Sequence, residues 1–419
     1  MNELIHDWNT PAPAKLARVQ ILDDTLRDGL QATSAQMPTI RQRLTLFDHS
    51  VACGTDAQIL GLPGAGKAAE TRIAALARHA AQSAPWVERL TAIRTHPNDI
   101  AAHQRVVDDA GTAMTAALFV GCSPIRAKVE HWDLSEIRKN VASMTAELIS
   151  AGTEVLFVTE DTTRSRPDVI ADIYKAAIGA GASRVCLCDT VGHADPGGAA
   201  KLVNFMAELI EQSGTSTGID WHGHNDRGLA LINALTAAEN GASRVHTTCL
   251  GMGERCGNTS LEQFVAYLAV TGCRPMDHRV AALKPYAEKV RDWCAAPMPN
   301  NLPIVGSDAF STSSGIHASA MYKAMLMTDD DFAGQVYSAI PASMLGRKQR
   351  IEIGPMSGAS NVRFWLDRHF PSLQASDRKT AETMLMEKAQ RSARIFSDQE
   401  LTAFVVALGR SPVIADGTE

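Results

Sequence analysis

Short runs of apolar residues alternate along the chain with longer segments in which apolar residues recur every three or four positions. A short apolar run is typical of a buried strand, whereas the longer period is typical of a helix that packs on one face. Eight such runs occur: RVQILD (18–23), DAQIL (56–60), RLTAI (89–93), TAALFV (115–120), EVLFV (154–158), RVCLC (184–188), GIDWH (218–222) and RVHTTCL (244–250). Helical segments such as LSEIRKNVASMTAELISAG (134–152) and GLALINALTAAENGAS (228–243) lie between them. Eight strand–helix repeats predict an α/β TIM (β/α)8 barrel.

The rest of the chain follows the last helix of the predicted barrel, SLEQFVAYLAVTG (260–272). It begins with a helical pattern and ends in another, TAETMLMEKAQRSARIFSDQELTAFVVALG (380–409). We therefore predict three parts: an N-terminal tail over 1–17, a catalytic barrel over 18–275, and a smaller, mainly helical C-terminal appendage over 276–419 that contributes to the active site.

The composition excludes several classes of protein. Of 419 residues, 45% are hydrophobic and 21% are charged, so the chain can bury a large core. The formal net charge is −6 and no basic run occurs, which argues against nucleic acid or an anionic membrane as a partner. No stretch reaches the roughly 18 apolar residues of a membrane span, and no signal-peptide pattern opens the sequence. We expect a cytoplasmic protein with small-molecule partners.

The eight cysteines could form four disulfides by count alone, but they lie within apolar runs and not in the loops of a short secreted chain. Reduced, buried thiols are the expectation. Cys186 and Cys188 would share one face of a strand, but a zinc–thiolate site needs a second such pair, and the sequence has none.

In this fold the active site lies at the C-terminal ends of the strands, so polar residues there are the first candidates for chemistry. The first run ends in the charged segment Asp23–Gln31 (DDTLRDGLQ), and the seventh ends in WHGHND. His222 and His224 are two positions apart, so both imidazoles project from the same side of an extended backbone. With Asp28 and Asn258 they offer mixed nitrogen and oxygen ligands, which suit Mg²⁺, Mn²⁺ or Zn²⁺ with open positions for substrate oxygens.

Three segments, in order along the chain, resemble the motifs of one enzyme family. Asp23–Gln31 resembles D-x-T-L-R-D-G-x-Q, His222–Asp226 resembles H-x-H-N-D, and Gly251–Asn258 (GMGERCGN) resembles G-x-G-E-R-x-G-N. These are motifs of the metal-dependent DRE-TIM metallolyases. The resemblance covers nearly the whole chain and is greatest to their Claisen-condensing branch of isopropylmalate, homocitrate and citramalate synthases.

The resemblance implies a role for each matching side chain. Asp28, His222 and His224 are implied as direct metal ligands, Asn258 as a ligand or the neighbour of one, and Arg27 as the cation that faces the reacting carbonyl. A 2-oxo acid that chelates the metal is electrophilic at its keto carbon, and Arg27 would stabilise negative charge that develops on oxygen. The implied reaction condenses acetyl-CoA with the 2-oxo acid and hydrolyses the thioester, giving a 2-substituted malate and CoA.

Forming an enolate from acetyl-CoA requires a base with a pKa near neutrality. His317, in the segment SGIH, resembles the base of the synthases; Glu160, after the fifth run, matches their acidic partner; and Tyr337 matches their tyrosine. Thr190, in DTVGHADP, and Arg94 are the candidates for binding substrate. Other interpretations stay open. His317 could cap a helix, Tyr337 could be a packing residue, Glu160 could begin a solvated segment, and Thr190 could stabilise a loop.

A second function within the same superfamily is a metal-dependent carbon–carbon lyase or aldolase, like hydroxymethylglutaryl-CoA lyase. Such enzymes generally lack the S-G-x-H segment, so His317 favours the synthase, and Cys256 lies in a loop unlike that of the lyases. A third class is a nucleotide-binding module, because GLPGAGKA (61–68) nearly matches a phosphate-binding P-loop. Ala68 stands where that motif needs Ser or Thr for Mg²⁺, and the surrounding barrel pattern disfavours it.

The identity of the 2-oxo acid stays open. Leu156 stands where homocitrate synthases tend to carry arginine, which argues against 2-oxoglutarate and favours an apolar or modified 2-oxo acid. Ile59 stands where the family usually has glutamate, and we expect no room after the barrel for a separate leucine-sensing domain. A specialised pathway is therefore as plausible as leucine biosynthesis. Because the family is commonly homodimeric, we expect a homodimer in which His317 and Tyr337 act in cis or in trans.

Overall fold

The structure, a computed structural model, describes residues 4–275, 277–327 and 330–408. The chain divides into two compact units, Met1–Met298 and Pro299–Glu419. In the described part of the chain, no helix is both long enough and apolar enough to cross a bilayer.

The first unit contains a closed barrel of eight parallel strands, which confirms the predicted fold. The strands are β1 (Gln20–Asp23), β2 (Ala57–Ile59), β3 (Glu88–Arg94), β4 (Thr115–Gly121), β5 (Val155–Glu160), β6 (Arg184–Asp189), β7 (Gly218–Gly223) and β8 (Arg244–Thr247). The sheet closes because β1 pairs with both β2 and β8. Each strand is covered on both faces, by the barrel interior and by the helices, which explains why the strands appear in the sequence as nearly continuous apolar runs.

Eleven α-helices accompany these strands among the described residues of the first unit. They are α1 (Ile40–Ala52), α2 (Lys67–Ser83), α3 (Pro97–Ala110), α4 (Pro124–Glu130), α5 (Leu134–Ser150), α6 (Pro167–Gly179), α7 (Pro196–Ser213), α8 (Ala230–Asn240), α9 (Leu261–Val270), α10 (His278–Ala281) and α11 (Leu283–Cys294). Local sequence fixes several of their ends. Thr39 and Gln42 form a capping box at the start of α1.

Strand β8 ends three residues earlier than the predicted run, at Thr247. The backbone N–H of Cys249 donates to Thr25 Oγ1 (2.8 Å), and that of Leu250 donates to the Glu262 carboxylate (3.0 Å). Because these side chains accept the hydrogen bonds of the two backbone N–H groups, the N–H groups do not pair with a neighbouring strand. The backbone of Leu250 has a φ of 57°. The apolar pattern continues past the strand because the turn is buried too.

The boundary between the units lies after Met298, whereas the sequence placed it after residue 275. Helix α11 therefore belongs with the barrel, where the Tyr286 hydroxyl donates to Asp23 Oδ2 at 2.6 Å. An amphipathic pattern predicts that a helix packs but does not identify the core against which it packs.

The predicted N-terminal tail also contains a buried residue. Leu16 is fully buried within a short 3-10 helix, Ala14–Arg18.

The second unit is mainly helical, as the sequence predicts. Its elements are β9 (Ser311–Thr312), α12 (Gly315–Met327), α13 (Asp330–Gln335), β10 (Arg350–Ile351), α14 (Ala359–His369), α15 (Ala375–Gln390) and α16 (Asp398–Ala407). Trp365, Leu385 and Val405 belong to the buried core between α14, α15 and α16. The predicted C-terminal helical segment is two helices, α15 and α16, and its last residue, 409, lies outside the described residues.

Candidate active site

A cavity of about 330 Å³ opens at the C-terminal ends of the barrel strands. Six of the predicted site residues line it: Arg27, Asp28, Glu160, Thr190, His222 and His224. The other described lining residues are Gln31, Ile59, Ala92, Ala117, Phe119, Arg126, Val158, Cys188, His246, Glu254 and Arg255. The structure therefore brings residues from positions 27 to 255 together at the end of the barrel where chemistry is expected.

The predicted metal ligands form a compact cluster at one side of this cavity. His222 Nε2 and His224 Nε2 lie 3.2 Å apart, and they lie 3.7 Å and 3.6 Å from Asp28 Oδ2. The three side chains are almost fully buried, and one ligand atom from each lies within 4.8 Å of the others. Two imidazoles and one carboxylate that converge in this way match the donor set that divalent metals prefer.

Asn258 joins this cluster through its amide. Its Nδ2 donates to Asp28 Oδ2 (2.6 Å) and to the carbonyl of Met252 (3.0 Å). Its Oδ1 is buried and has no hydrogen-bond partner among the described residues. A buried acceptor without a donor is costly. A cation beside Asp28 would satisfy this oxygen, so the residues present fit a metal ion.

Backbone geometry in the Gly251–Asn258 loop requires glycine where the motif has it. Gly257 has a φ of +82°, and a Cβ atom there would lie 1.8 Å from the Gly251 carbonyl oxygen. Gly253 has a φ of +154°, and a Cβ atom there would lie 2.1 Å from Asn258 Nδ2. The two glycines therefore allow the loop to fold tightly enough to place the Asn258 amide on Asp28.

The protonation states of the cluster suit metal binding. Burial lowers the pKa of both His222 and His224 below the ordinary value, because it disfavours the charged imidazolium. Burial by itself would raise the pKa of Asp28, but the neighbouring Arg27 guanidinium and the Asn258 amide contribute to lowering it to about 2. Neutral imidazoles and an ionised carboxylate are the forms that bind metal.

Arg27 lies beside the ligand cluster and is held by two carboxylates. Its Nε donates to Asp24 Oδ1 and its Nη1 to Asp28 Oδ1, both at 3.0 Å, and its Nη2 also pairs with Asp24. These bonds fix the plane of the guanidinium while leaving the side chain partly exposed to the cavity. Arg27 therefore presents a fixed positive charge next to the cluster.

Thr190 lines the cavity and also stabilises the neighbouring loop. Its Oγ1 accepts a hydrogen bond from the Asp161 N–H at 2.8 Å. Its carbonyl accepts one from Arg255 Nη2 at 2.5 Å. The Arg255 guanidinium pairs mainly with Asp226 (2.8 Å), and its contact with Glu254 is longer, at 3.5 Å. The substrate-binding and loop-stabilising interpretations of Thr190 are compatible with this geometry.

Glu160 ends β5 and faces a cation that the sequence reasoning missed. Arg126 Nη1, from α4, donates to Glu160 Oε1 at 2.6 Å, and its guanidinium lies 5.0 Å from the centre of the Trp132 ring. Glu160 is thus the last residue of β5 and part of a partly exposed ion pair at the cavity wall. In the sequence, the only indication that Arg126 belongs to the site is its position in the first turn of the helix that follows β4.

His246 on β8 is a second residue that the sequence reasoning missed. Its Nε2 lies 2.9 Å from Asp220 Oδ2, and its ring centre lies 5.5 Å from that of His222. It is almost fully buried, and with Asp24 and His222 it forms a second group of side chains able to hold a metal ion. The sequence offered one signal, an imidazole within the apolar run 244–250.

Two other sequence candidates lie elsewhere in the first unit. The Arg94 guanidinium is about half exposed and donates to both oxygens of Asp99, at 2.9 and 2.7 Å, and Arg94 is not among the described lining residues. Its role in substrate binding stays a prediction. The segment resembling a P-loop follows β2 of the barrel, and Lys67 there is largely exposed and pairs with Glu70. This fold is not that of a P-loop protein.

The predicted base and tyrosine lie together in the second unit. His317 is in the first turn of α12, and its ring centre lies 4.0 Å from that of Tyr337. The His317 side chain is exposed, and Tyr337 is 49% exposed. Neither side chain is buried, and the two rings contact each other. Their part in catalysis stays a prediction.

Comparison with known proteins identifies the class and then the family. A closed (β/α)8 barrel with a cavity at the C-terminal ends of its strands has the architecture of a TIM-barrel enzyme. Residues 18–285 match the family model described as HMGL-like, and the chain belongs to that family.

Curated relatives narrow the branch. The 2-isopropylmalate synthase of Parasynechococcus marenigrum (strain WH8102) is 30% identical over 408 residues, which cover 93% of this chain and 72% of that protein. The probable 2-isopropylmalate synthase of Methanopyrus kandleri is 30% identical over 351 residues, covering 83% of this chain and 65% of that protein. These relatives confirm the predicted condensing-synthase branch and an enzyme of the alkylmalate synthase type.

Solved structures support the fold alone. An HMG-CoA lyase from Bacillus subtilis superposes with a TM-score of 0.57 at 18% identity, covering 69% of this chain and 97% of that one. A hydroxymethylglutaryl-CoA lyase from Pseudomonas aeruginosa gives 0.56 at 17% identity, covering 71% and 98%.

Proposed function

We propose that this enzyme condenses acetyl-CoA with a 2-oxo acid and hydrolyses the resulting thioester, releasing a 2-substituted malate and CoA. The observation that carries the proposal is the buried cluster of Asp28, His222 and His224, beside which the Asn258 Oδ1 atom lacks a donor. The 2-isopropylmalate synthases that match along most of the chain support the choice of reaction.

Asp28, His222, His224 and Asn258 Oδ1 would hold a divalent cation such as Mg²⁺, Mn²⁺ or Zn²⁺. When bound there, the cation supplies Lewis-acid polarisation that makes the keto carbon of a 2-oxo acid electrophilic. Arg27, fixed by Asp24 and Asp28, stabilises the negative charge that develops on the keto oxygen during attack. The Thr190 hydroxyl at the cavity wall orients the substrate carboxylate.

The carbon nucleophile is made by removing a proton from the methyl group of acetyl-CoA. We assign this proton to His317, whose exposed imidazole packs against Tyr337. The methyl carbon then bonds to the keto carbon, whose oxygen takes up a proton and becomes the hydroxyl of the product. Water cleaves the thioester, giving a carboxylate and the free thiol of CoA. We propose that Glu160, held by Arg126, positions reactants at the cavity wall.

We also propose a homodimer, as in the family that the sequence resembles. In that arrangement His317 and Tyr337 of one subunit serve either their own barrel or that of the other subunit. Mixing a His317→Ala chain with an Asp28→Ala chain separates these cases. Activity restored in the mixed dimer means that the two units act in trans.

The test of the proposed function is release of free thiol from acetyl-CoA, measured with a panel of 2-oxo acids, with Mg²⁺, Mn²⁺ or Zn²⁺ and again with a chelator. We expect metal-dependent thiol release with at least one 2-oxo acid and a 2-substituted malate as product. Formation of acetyl-CoA and acetoacetate from 3-hydroxy-3-methylglutaryl-CoA, with no thiol release from acetyl-CoA with any acceptor, would overturn the proposal in favour of a lyase.

A further inference from the structure

A second cavity lies beside the active site, on the rim of the barrel. It has a volume of about 530 Å³, compared with about 330 Å³ for the active-site cavity. The segments that follow β5, β6 and β7 line it, together with residues of α6 and α7. We call this cavity the rim cleft, and the lining residues that define it here are Thr163, His193, Asp195, Lys201, Phe205 and Arg227.

The rim cleft and the active-site cavity are lined by the same three segments of the chain. On each segment, one residue lines the active-site cavity and the residue three positions later lines the rim cleft: Glu160 and Thr163, Thr190 and His193, His224 and Arg227. Three residues span at most about 11 Å of extended chain. The two cavities are therefore neighbours at the C-terminal end of the barrel.

Hydrogen bonds between the segments hold the wall of the rim cleft in place. Arg227 Nη1 donates to the carbonyl of His193 at 2.6 Å, which joins the segment after β7 to the segment after β6. Thr163 Oγ1 and the His193 N–H both donate to Asp189 Oδ1, each at 2.8 Å. The rim cleft is therefore a preformed cavity of a size that is usual for ligand sites.

The rim cleft carries positive charge that is not neutralised by neighbouring side chains. Lys201 and Arg227 are exposed, and neither pairs with a carboxylate within the described part of the chain. Among the described lining residues the acidic one is Asp195, whose Oδ1 accepts the Gly198 N–H at 2.7 Å and caps α7. The N-terminus of this 18-residue helix adds partial positive charge. The electrostatics favour an anionic ligand.

Another part of the rim cleft is apolar. Pro167 and Ile170 of α6 line it together with Leu202 and Phe205 of α7. Ile170 is buried, whereas Leu202 and Phe205 are half-buried. An aromatic ring beside aliphatic side chains suits the flat face of a heterocyclic base, and the two cations suit phosphate groups. An adenosine phosphate has both features in one molecule.

We propose that the rim cleft binds the adenosine phosphate end of acetyl-CoA, with the base near Phe205 and the phosphates near Lys201 and Arg227. This inference rests on the proposed function, because it concerns the second substrate of the same reaction. The acetyl group and the nucleotide are at opposite ends of acetyl-CoA, joined by the pantetheine arm. An acetyl group at the ligand cluster therefore needs a neighbouring site for the nucleotide. Binding energy from this remote end orients the acetyl group for reaction.

The first experiment compares acetyl-CoA with S-acetylpantetheine, which has the same reacting end but no nucleotide. The readout is the ratio of kcat/KM for acetyl-CoA over S-acetylpantetheine in thiol release. Lys201→Ala should lower this ratio roughly ten-fold, because a charge-assisted phosphate contact is lost. Lys201→Arg should restore most of it. Lys175→Ala is the matched control, since Lys175 is an exposed residue of α6 outside the described cleft lining, and it should leave the ratio unchanged.

The second experiment measures binding without turnover. Calorimetric titration with adenosine 3′,5′-bisphosphate should show binding to the wild-type protein and competition with acetyl-CoA. Lys201→Ala and Arg227→Gln should each weaken this binding by roughly ten-fold. Raising the ionic strength should weaken it in the wild-type protein, because the cations of the cleft are exposed.

The outcomes separate this inference from the proposed function. An unchanged ratio in Lys201→Ala, or equal binding of adenosine 3′,5′-bisphosphate to the wild type and both variants, overturns the inference while the condensing activity stands. Binding that depends on Lys201 but does not compete with acetyl-CoA identifies a separate nucleotide site and also overturns it. No thiol release with any 2-oxo acid overturns the proposed function. Titration with CoA then decides the inference: weaker binding to Lys201→Ala supports a CoA site in the rim cleft, and equal binding overturns it.

Discussion

The most direct quantitative prediction concerns Asp220→Asn in the interior of the barrel. Asp220 is fully buried on β7, two residues before His222. Its carboxylate accepts hydrogen bonds from Arg184 Nε and Arg244 Nε, each at 2.6 Å, and lies 2.9 Å from His246 Nε2. The substitution keeps the shape of the side chain but removes the negative charge that two guanidiniums share.

Removing one partner of a buried ion pair typically costs about 3–5 kcal/mol, because the remaining charge is left buried without compensation. Two features of this network moderate the cost. Arg244 keeps a second carboxylate partner in Glu88, and the Arg184 side chain is 19% exposed and also donates to Ser243. We therefore expect Asp220→Asn to lower the free energy of unfolding by about 3 kcal/mol at pH 7.

The pH dependence provides a second test of the same reasoning. Burial by itself would raise the pKa of Asp220, but Arg244, His246 and Arg184 reverse this and hold it well below its ordinary value. A carboxyl with a lowered pKa in the folded state stabilises the protein above the unfolded-state pKa of about 3.9, and this contribution is lost as the pH falls. The difference between wild type and Asp220→Asn should therefore narrow as the pH falls from about 5 to about 3.

Equilibrium urea unfolding, followed by far-UV circular dichroism, measures both effects. The exposed Arg166–Asp168 pair supplies the control, because Asp168→Asn should change the free energy of unfolding far less than Asp220→Asn does. An Asp220→Asn chain within about 0.5 kcal/mol of wild type at pH 7 would refute the reasoning. So would a difference that stays constant down to pH 3.

Three further predictions concern the active site. Asp28→Ala should abolish Mn²⁺ binding in a calorimetric titration together with turnover, and full turnover without metal binding would contradict the mechanism. His317→Ala should keep Mn²⁺ binding but lower kcat by about 10²–10⁴-fold, and a normal kcat would exclude His317 as the base. Gly257→Ala should weaken Mn²⁺ binding, because its Cβ would clash with Gly251; Gly272→Ala, also at positive φ but with nothing within 4 Å, should leave Mn²⁺ affinity unchanged.

The elements of the barrel were predictable because each depends on a local apolar period. That Asp28, His222 and His224 meet at the cavity was predictable because all three lie at or just after strand ends. His246 could not be predicted as a residue of the site, because its position there depends on a contact with Asp220 from the neighbouring strand. Arg126 could not be predicted either, because its partner Glu160 is 34 residues away in the chain. Arg94 is the last residue of β3, and the nearby Asp99 carboxylate binds its guanidinium, a pairing that the strand pattern does not predict.

The same holds for the division into units. Helix α11 has the amphipathic pattern of any packed helix, and nothing local distinguishes the barrel from the appendage as its neighbour. Its contact through Tyr286 is with Asp23, which lies 263 residues earlier in the chain. Local pattern thus determines the elements, whereas long-range pairing determines which core they join and which polar side chains meet.

The arrangement of the ligand cluster makes it a reporter of folding. Asp28 follows β1, whereas His222 lies in β7 and His224 follows β7 directly. Strands β1 and β7 are not neighbours, because β8 lies between them in the closed order. The three donors can therefore meet only after β8 has closed the sheet. With a divalent cation bound as proposed, a cation titration would count closed barrels, and the cation would favour closure by mass action, by about 2.7 kcal/mol at a hundred-fold excess over its Kd.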